Sequence, residues 1–254
     1  MEKNNKKIIL DDHLLSYYHF EGEREEGVSL VCLHGWGLDS ETWFSSIEAL
    51  LPLIKEAIAI DLPGFGHSEN PHSPFSMKEY TDIVESLLST LDLQKVVIMG
   101  HSFGARIAVR LAIRQKSMIE KLVLVDAAGV RTHQVRAKVF SFLSRFFKPF
   151  VSYVPFLRTF ALRFTRSDYD YKPALKPTFI KIVQESDIPL YPEVTTPTLL
   201  VWGDKDTITP LSSARIMEKM ILCSELFVIE GAGHVSFLDK HKIFITKVIS
   251  YLSQ

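Results

Sequence analysis

Short apolar runs alternate with segments of helical periodicity along the first half of the chain. The runs consist largely of aliphatic side chains and lie at residues 28–33, 57–60, 96–99 and 122–125. Because strands of a covered parallel sheet are buried on both faces, a run that is apolar throughout predicts such a strand. Residues 76–91 and 105–114, which lie between runs, carry apolar side chains at helical spacing. This alternation predicts a parallel, doubly wound α/β sheet.

Further segments extend the predicted sheet toward both ends of the chain. Residues 8–10 and 14–20 flank Asp11-Asp12-His13 and predict an antiparallel hairpin at one sheet edge. The strand pattern pauses at Gly129 and resumes at residues 198–202. Beyond that point the pattern predicts a helix at 216–221, a strand at 226–229 and a final helix at 235–252.

The interruption after Gly129 predicts a cap. Residues 130–189 are mostly helical in pattern and are interrupted by prolines. An insertion between two strands is expected to cover the carboxyl edge of the sheet, where open parallel sheets bind ligands. We therefore expect a core made of residues 1–129 and 190–254, with residues 130–189 as a helical cap.

Composition narrows the class of protein without naming a chemistry. The chain has 254 residues, is 46% hydrophobic and has a formal net charge of −1, which fits a globular protein with no general attraction to nucleic acid. Two cysteines, Cys32 and Cys223, do not make a disulfide framework and fit a reducing compartment. The apolar segment near the N-terminus is too short for a signal peptide or a membrane span. We expect a soluble, cytoplasmic protein.

The candidate nucleophile is Ser102 in Gly100-His101-Ser102-Phe103-Gly104. The five-residue motif alone is weak evidence for a nucleophile. However, a predicted strand ends directly before it and a predicted helix begins directly after it. A serine on such a sharp turn is forced into a strained conformation that exposes its hydroxyl, and the flanking glycines allow strand and helix to cross closely. The alternative is a strand-to-helix turn that a serine merely caps.

A base and an acid are needed to activate that serine. His234 follows the last predicted strand in a run of small residues, which places it on a loop at the carboxyl edge. Asp206 and Asp204 both follow the strand at 198–202; we prefer Asp206 because Asp204 is close enough to the strand end to cap the turn. Asp126, at the end of another strand, is a third candidate acid.

Donors for a developing oxyanion come from two predicted loops. The backbone N–H of Phe103 is one donor, and the N–H of Trp36 in His34-Gly35-Trp36-Gly37 is the other. We interpret His34 as a hydrogen-bonding residue that shapes its loop. The segment at 61–68 is interpreted as a tight turn in the wall of the pocket, with no chemical role.

The motifs from His34 to His234 resemble those of the α/β-hydrolase superfamily, in the branch with an H-G-x-G oxyanion loop and a D-x-P-G-x-G-x-S turn. The resemblance implies an α/β-hydrolase fold with a mostly parallel eight-stranded sheet flanked by helices and a helical cap inserted after the sixth strand. It further implies the triad and oxyanion donors named above. Residues 34–38 and 61–66 also resemble carboxylesterases that demethylate pimeloyl-acyl-carrier protein.

Other chemistries have weaker support. An aspartate nucleophile at position 102 would indicate a dehalogenase or epoxide hydrolase, and the serine excludes both. The chain contains no C-x-x-C, H-E-x-x-H or phosphate-binding glycine loop, so no metal or nucleotide cofactor is implied.

The predicted cap is rich in phenylalanine and in basic residues. Eight of the seventeen phenylalanines lie between Phe140 and Phe164, which suits either packing or a hydrophobic acyl pocket. The segment from Arg131 to Arg166 has eight Lys or Arg residues and no Asp or Glu. This basic segment has three alternative interpretations: a face exposed to solvent, a rim that attracts an anionic substrate or an acidic acyl-carrier protein, or a surface that contacts an anionic membrane.

Taken together, the sequence predicts hydrolysis of a small-to-medium hydrophobic carboxylic ester or thioester through an acyl-enzyme, without a cofactor. A C–C bond hydrolase or a cofactor-free perhydrolase could use the same triad. A ligand-binding receptor on the same fold is the alternative from another class. The substrate, the leaving group and the oligomeric state are left open.

Overall fold

A computed structural model describes residues 4–131 and 173–254. Its strands are Asn4–Leu10 (β1), His13–Glu21 (β2), Ser29–Leu33 (β3), Glu56–Asp61 (β4), Val96–His101 (β5), Ile119–Val125 (β6), Thr198–Gly203 (β7) and Ser224–Ile229 (β8). They form one eight-stranded sheet in the order β1-β2-β4-β3-β5-β6-β7-β8. Strands β3 to β8 pair in parallel, whereas β2 is antiparallel to β1 and β4. The predicted mostly parallel sheet and its edge hairpin are confirmed.

Helices cover both faces of this sheet. Those in the described ranges are Phe44–Leu50 (α1), Met77–Thr90 (α2), Phe103–Arg114 (α3), Lys176–Gln184 (α4), Leu211–Met220 (α5), Ser236–Asp239 (α6) and His241–Leu252 (α7). Short 3-10 turns lie at Ser40–Trp43, Leu51–Leu53, Pro173–Leu175 and Ile188–Glu193. The predicted single helix over 235–252 is wrong in one respect, because Lys240 adopts φ −134° and ψ 50° and separates α6 from α7.

Strand β3 illustrates why the apolar runs predicted the sheet correctly. Val31 and Leu33 are completely buried on the face covered by α2, α3 and α5. Leu30 and Cys32 are completely buried on the opposite face, which α1 and α7 cover. Each residue of the strand therefore needs an apolar side chain, whichever face it points to. Burial also raises the pKa of the Cys32 thiol, which makes it a structural cysteine.

Most of the predicted cap lies outside the described residues. The Phe-rich stretch belongs to the range 132–172, and so do the basic residues of the segment from Arg131 to Arg166, apart from Arg131 itself. The chain is described again from Pro173, and the 3-10 turn and α4 lead from there to Asp187. The possible contacts of the basic segment with a carrier protein or a membrane concern the same undescribed range.

A buried ion pair fastens the segment after α4 to α3. The Arg106 guanidinium donates from Nε to Asp187 Oδ2 at 2.7 Å and from an Nη to Oδ1 at 2.8 Å. Two more of its N–H groups donate to the carbonyls of Ile182 (2.7 Å) and Glu185 (3.1 Å). Arg110 also donates to Asp187 Oδ1 at 2.7 Å. Both charges are therefore held by several hydrogen bonds, which is the condition under which a buried ion pair is tolerated.

Replacing Asp187 by alanine is expected to lower the free energy of unfolding by about 3–5 kcal/mol, because it leaves the Arg106 charge buried without its carboxylate. The side chains of Arg106 and Asp187 are only 5% and 0% exposed. The measurement is equilibrium unfolding in urea. Lys78→Ala, which removes the exposed pair of Lys78 with Asp82, is the control and should cost less than about 1 kcal/mol. A similar loss in both variants would contradict the anchoring role.

Candidate active site

Ser102 lies on a sharp turn between the end of β5 and the start of α3. Its backbone has φ 47° and ψ −104°, a conformation that a residue with a side chain adopts only under strain. Its N–H donates to the carbonyl of Val125 at 3.0 Å, and its carbonyl accepts from Ala128 N–H at 3.1 Å. The turn is thus fixed to the end of β6, as expected of a strand-turn-helix nucleophile.

The glycines of the motif allow this turn to form. A Cβ atom on Gly104 would lie 2.3 Å from the carbonyl oxygen of Leu33, and one on Gly100 would lie 2.8 Å from the Cα of Ala105. Both distances are impossible for a real side chain. Helix α3 can therefore pass close to β3 and β5 only because these two positions have no side chain.

Three side chains predicted from separate parts of the sequence meet at the carboxyl edge of the sheet. His234 Nε2 lies 3.1 Å from Ser102 Oγ, and His234 Nδ1 lies 2.8 Å from Asp206 Oδ2. Because a carboxylate only accepts, Nδ1 carries the imidazole proton and Nε2 is left to accept the serine proton. The side chain of Asp206 is completely buried and that of His234 is 17% exposed. This geometry is that of a serine, a base and an orienting acid.

The loop after β7 holds the Asp206 carboxylate firmly. Oδ1 accepts from the N–H groups of Ile208 (2.8 Å) and Thr209 (2.9 Å), and Oδ2 accepts from the Thr209 hydroxyl at 2.7 Å. Asp204 has other partners: it accepts from Gly231 N–H at 2.6 Å and pairs with Lys205, whose ammonium group lowers its pKa. Of the two aspartates that follow β7, Asp206 is the one that contacts His234.

Asp126, the third candidate acid, connects two loops instead. One carboxylate oxygen accepts from Gly203 N–H and the other from Ser236 N–H, both at 2.9 Å. The side chain therefore ties the end of β7 to the segment that follows His234. Burial raises the pKa of Asp126 to about 7, although both N–H donors favour its ionised form. Like Ser102, it has a positive φ, here 46°.

The sequence analysis assigned no role to His101 or Thr209. His101 Nε2 donates to the carbonyl oxygen of His234 at 2.7 Å, and burial lowers the pKa of His101 well below its usual value, so the ring is neutral. Thr209 Oγ1 lies 3.2 Å from His234 Nδ1, besides its contact with Asp206. In the sequence, His101 is adjacent to Ser102 and Thr209 lies three residues after Asp206, which was the available signal. A sequence does not show which way such side chains point.

The two predicted oxyanion donors lie on the neighbouring loops. Within residues 4–131 and 173–254, neither Trp36 N–H nor Phe103 N–H has a protein acceptor. The Trp36 indole is packed edge-on against the rings of Phe65 and Phe103 and contacts Phe179 on α4, with centroids 4.9, 5.4 and 5.1 Å apart. These contacts hold the loop that carries the Trp36 N–H.

Hydrogen bonds join the loop of His34 to the turn after β4. His34 Nε2 accepts from Leu62 N–H at 3.0 Å and its Nδ1 donates to the Gly35 carbonyl at 2.7 Å, so its ring spans both loops. The Asp61 carboxylate accepts from the N–H groups of Ser40 and His67, both at 2.9 Å. Both groups therefore have structural partners.

Between residues 4 and 131 and from 173 onward, no group of three or more His, Cys, Asp or Glu side chains is arranged to hold a metal ion. In the same ranges no helix is long and apolar enough to cross a membrane.

Comparison with known proteins agrees with this architecture. A model of the alpha/beta hydrolase family matches residues 30–246. The chain belongs to this family. It is 27% identical to the pimeloyl-(acyl-carrier protein) methyl ester esterase of Vibrio vulnificus over 89% of this chain and 94% of that protein. The family and its esterase relatives support hydrolase activity.

Solved structures with a similar fold include two hydrolases of other named activities. A membrane phospholipase A, described as a bacterial virulence factor, has a TM-score of 0.81 at 24% identity and covers 99% of this chain and 86% of its own. The enol-lactonase of Burkholderia xenovorans has a TM-score of 0.79 at 22% identity and covers 98% of this chain and 100% of its own. At these identities the likeness concerns the fold alone.

The strained turn predicts a stability effect at the candidate nucleophile. Ser102→Gly is expected to have a free energy of unfolding about 1 kcal/mol above that of Ser102→Ala, because glycine adopts a positive φ without strain. Urea unfolding of both variants measures the difference. At Thr246, an exposed position in the interior of α7, substitution by glycine and by alanine should show the opposite order, since glycine destabilises a helix interior by about 1 kcal/mol relative to alanine. Equal stabilities at position 102 would contradict the strain.

Proposed function

We propose that this hydrolase cleaves a carboxylic ester or thioester with a small-to-medium hydrophobic acyl group through an acyl-enzyme on Ser102. His234 removes the proton from Ser102 Oγ as that atom attacks the carbonyl carbon. Asp206 keeps the imidazole in its Nδ1–H form and stabilises the imidazolium that results. The N–H groups of Trp36 and Phe103 donate to the carbonyl oxygen as it becomes negative.

His234 also carries the proton transfers that complete acylation and then release the acid product. The His234 imidazolium gives its proton to the leaving alkoxide or thiolate, which departs as an alcohol or thiol. Water then attacks the acyl-enzyme while His234 takes a proton from it, and Ser102 regains its own proton when the acid product leaves.

The observation that carries the proposal is the hydrogen-bonded line from Ser102 Oγ through His234 to Asp206. Its two contacts, of 3.1 and 2.8 Å, fall within the range expected of a nucleophile and its base without substrate. A serine that only capped its helix would need neither the base nor the strained turn. The side chain of Ser102 makes no capping bond to α3.

The relatives support an ester as the bond that is cleaved. The Vibrio vulnificus protein, which matches most of this chain, is a methyl ester esterase. A C–C bond hydrolase or perhydrolase would need a different substrate pocket with the same three side chains. A receptor on this fold would bind its ligand with little turnover, so the rate of hydrolysis separates it from an enzyme.

The domain division remains part of the proposal. We place the core at residues 1–129 and 190–254 and the cap at 130–189. The bonds of Asp187 to α3 support a fixed attachment for the end of this cap, and its backbone N–H also donates to the Gly129 carbonyl at 2.9 Å. The two ends of the insertion therefore meet at one point beside α3.

The proposal predicts hydrolysis of p-nitrophenyl esters, tested from acetate to laurate. Ser102→Ala is expected to lower kcat by about 10⁴-fold or more, since it removes the nucleophile. Wild-type enzyme should release an initial burst of p-nitrophenol matching its own concentration if loss of the acyl group is slow. Ser89→Ala, an exposed serine on α2, is the matched control and should keep the wild-type rate.

Two results would count against the proposed function. Hydrolysis that persists in folded Ser102→Ala would exclude Ser102 as nucleophile. Folded wild-type protein with no turnover on any chain length would favour the C–C hydrolase or receptor alternative, which a vinylogous diketone substrate and a ligand-binding screen then separate.

A further inference from the structure

The hydroxyl of Thr209 lies between three groups of the site. Its Oγ1 is 2.7 Å from Asp206 Oδ2, 3.0 Å from the backbone carbonyl oxygen of Asp126 and 3.2 Å from His234 Nδ1. A hydroxyl has one proton to donate. Two of these three groups are acceptors that cannot donate, so they compete for that proton.

The rest of Thr209 is held in place independently of the hydroxyl. Its N–H donates to Asp206 Oδ1 at 2.9 Å, and its carbonyl accepts from the Trp202 indole N–H at 2.7 Å. The residue is only 9% exposed. Its backbone is therefore fixed, and the remaining freedom of the side chain is rotation of its O–H bond.

We propose that Thr209 is a positioning residue of the triad, whose hydroxyl turns between Asp206 and the Asp126 carbonyl as the charge on His234 changes. This inference rests on the proposed function. While the imidazole is neutral, the O–H donates to Asp206 Oδ2 and helps to hold the carboxylate. After His234 takes the serine proton, the O–H turns to the Asp126 carbonyl, and a lone pair of Oγ1 faces the Nδ1–H.

The turn of the Thr209 hydroxyl exchanges hydrogen bonds only and breaks no covalent bond. The serine proton moves to Nε2, the Nδ1–H stays on the imidazole, and the threonine keeps its own proton throughout. When the O–H turns away, Asp206 Oδ2 no longer accepts a hydrogen bond from it, so more of the negative charge of the carboxylate is available to stabilise the imidazolium. This stabilisation matters most in the transition state.

The other ionisable groups near His234 are also fixed. Besides Asp206 from the loop after β7, they are His101 at the end of β5, whose ring centroid lies 5.0 Å from that of His234, and Asp126 at the end of β6. On α6, Asp239 accepts from the N–H of Gly233 at 2.7 Å. Substitution of Thr209 leaves all four side chains in the protein, so a changed pH dependence can be attributed to the hydroxyl.

The decisive variant is Thr209→Val, which keeps the volume of the side chain and removes the hydroxyl. We expect kcat for a p-nitrophenyl ester to fall about tenfold with KM changing less than about twofold, as for loss of one hydrogen bond to a charged group. The acid limb of the kcat/KM profile should move down by about half a pH unit, because the imidazolium loses the Oγ1 lone pair that faces its Nδ1–H.

Three further variants control this experiment. Thr209→Ser keeps the hydroxyl and should keep the wild-type kcat and acid limb. Thr207→Val makes the same change at an exposed position of the same loop and should alter neither. Thr209→Ala also removes the hydroxyl without adding bulk, so it replaces the valine variant if that variant folds poorly.

The proton on His234 Nδ1 gives a readout that does not depend on turnover. Its low-field NMR resonance should shift in Thr209→Val and stay in place in Thr209→Ser and Thr207→Val. Wild-type kcat and acid limb in Thr209→Val, or a lower kcat with an unmoved acid limb, would overturn the inference. Absence of ester hydrolysis in wild-type protein would instead count against the proposed function, and the NMR comparison would still show whether Thr209 contacts the imidazole.

Discussion

The close approach of α3 to the sheet is the constraint on which the rest of the site depends. Gly104 lets the helix pass against the Leu33 carbonyl, and this contact sets how sharply the chain must turn at Ser102. The serine therefore accepts a positive φ, and its hydroxyl projects from the turn toward His234. The strain at one residue is offset by the packing of a whole helix, as is common where a side chain must be exposed for chemistry.

The loops that carry His234 and Asp206 are held by other buried side chains. Asp126 binds one N–H from each loop, and His101 binds the carbonyl of His234. Loops are ordinarily the mobile part of a fold. Here the His234 carbonyl and the Ser236 N–H are hydrogen-bonded to buried side chains, so the geometry of the pair with Asp206 is set before a substrate binds, which is what orientation requires.

The sequence predicted the fold well because the central strands β3, β5 and β7 are buried on both faces and each motif follows a strand. That pattern located Ser102, Asp206 and His234 at one edge, since parallel strands all end on the same side. It could not show the roles of Asp126 and Thr209, because a buried polar side chain is defined by partners that are distant in sequence. The break at Lys240 was missed for a related reason: apolar spacing continues across it, whereas Asp239 binds the Gly233 N–H.

Helix α3 also connects Ser102 to the segment that follows the undescribed part of the chain. Arg106, one turn after Ser102, binds Asp187, and α4 just before Asp187 places Phe179 against the indole of Trp36. The indole in turn packs on Phe103, the first residue of α3. This chain of contacts therefore begins and ends at α3, and it includes Trp36 and Phe103, the two residues proposed to donate to the oxyanion. A buried ion pair adds little net stability over an apolar pair but demands one arrangement of its partners. Its value at Arg106 therefore lies in fixing where α4 meets the oxyanion loop.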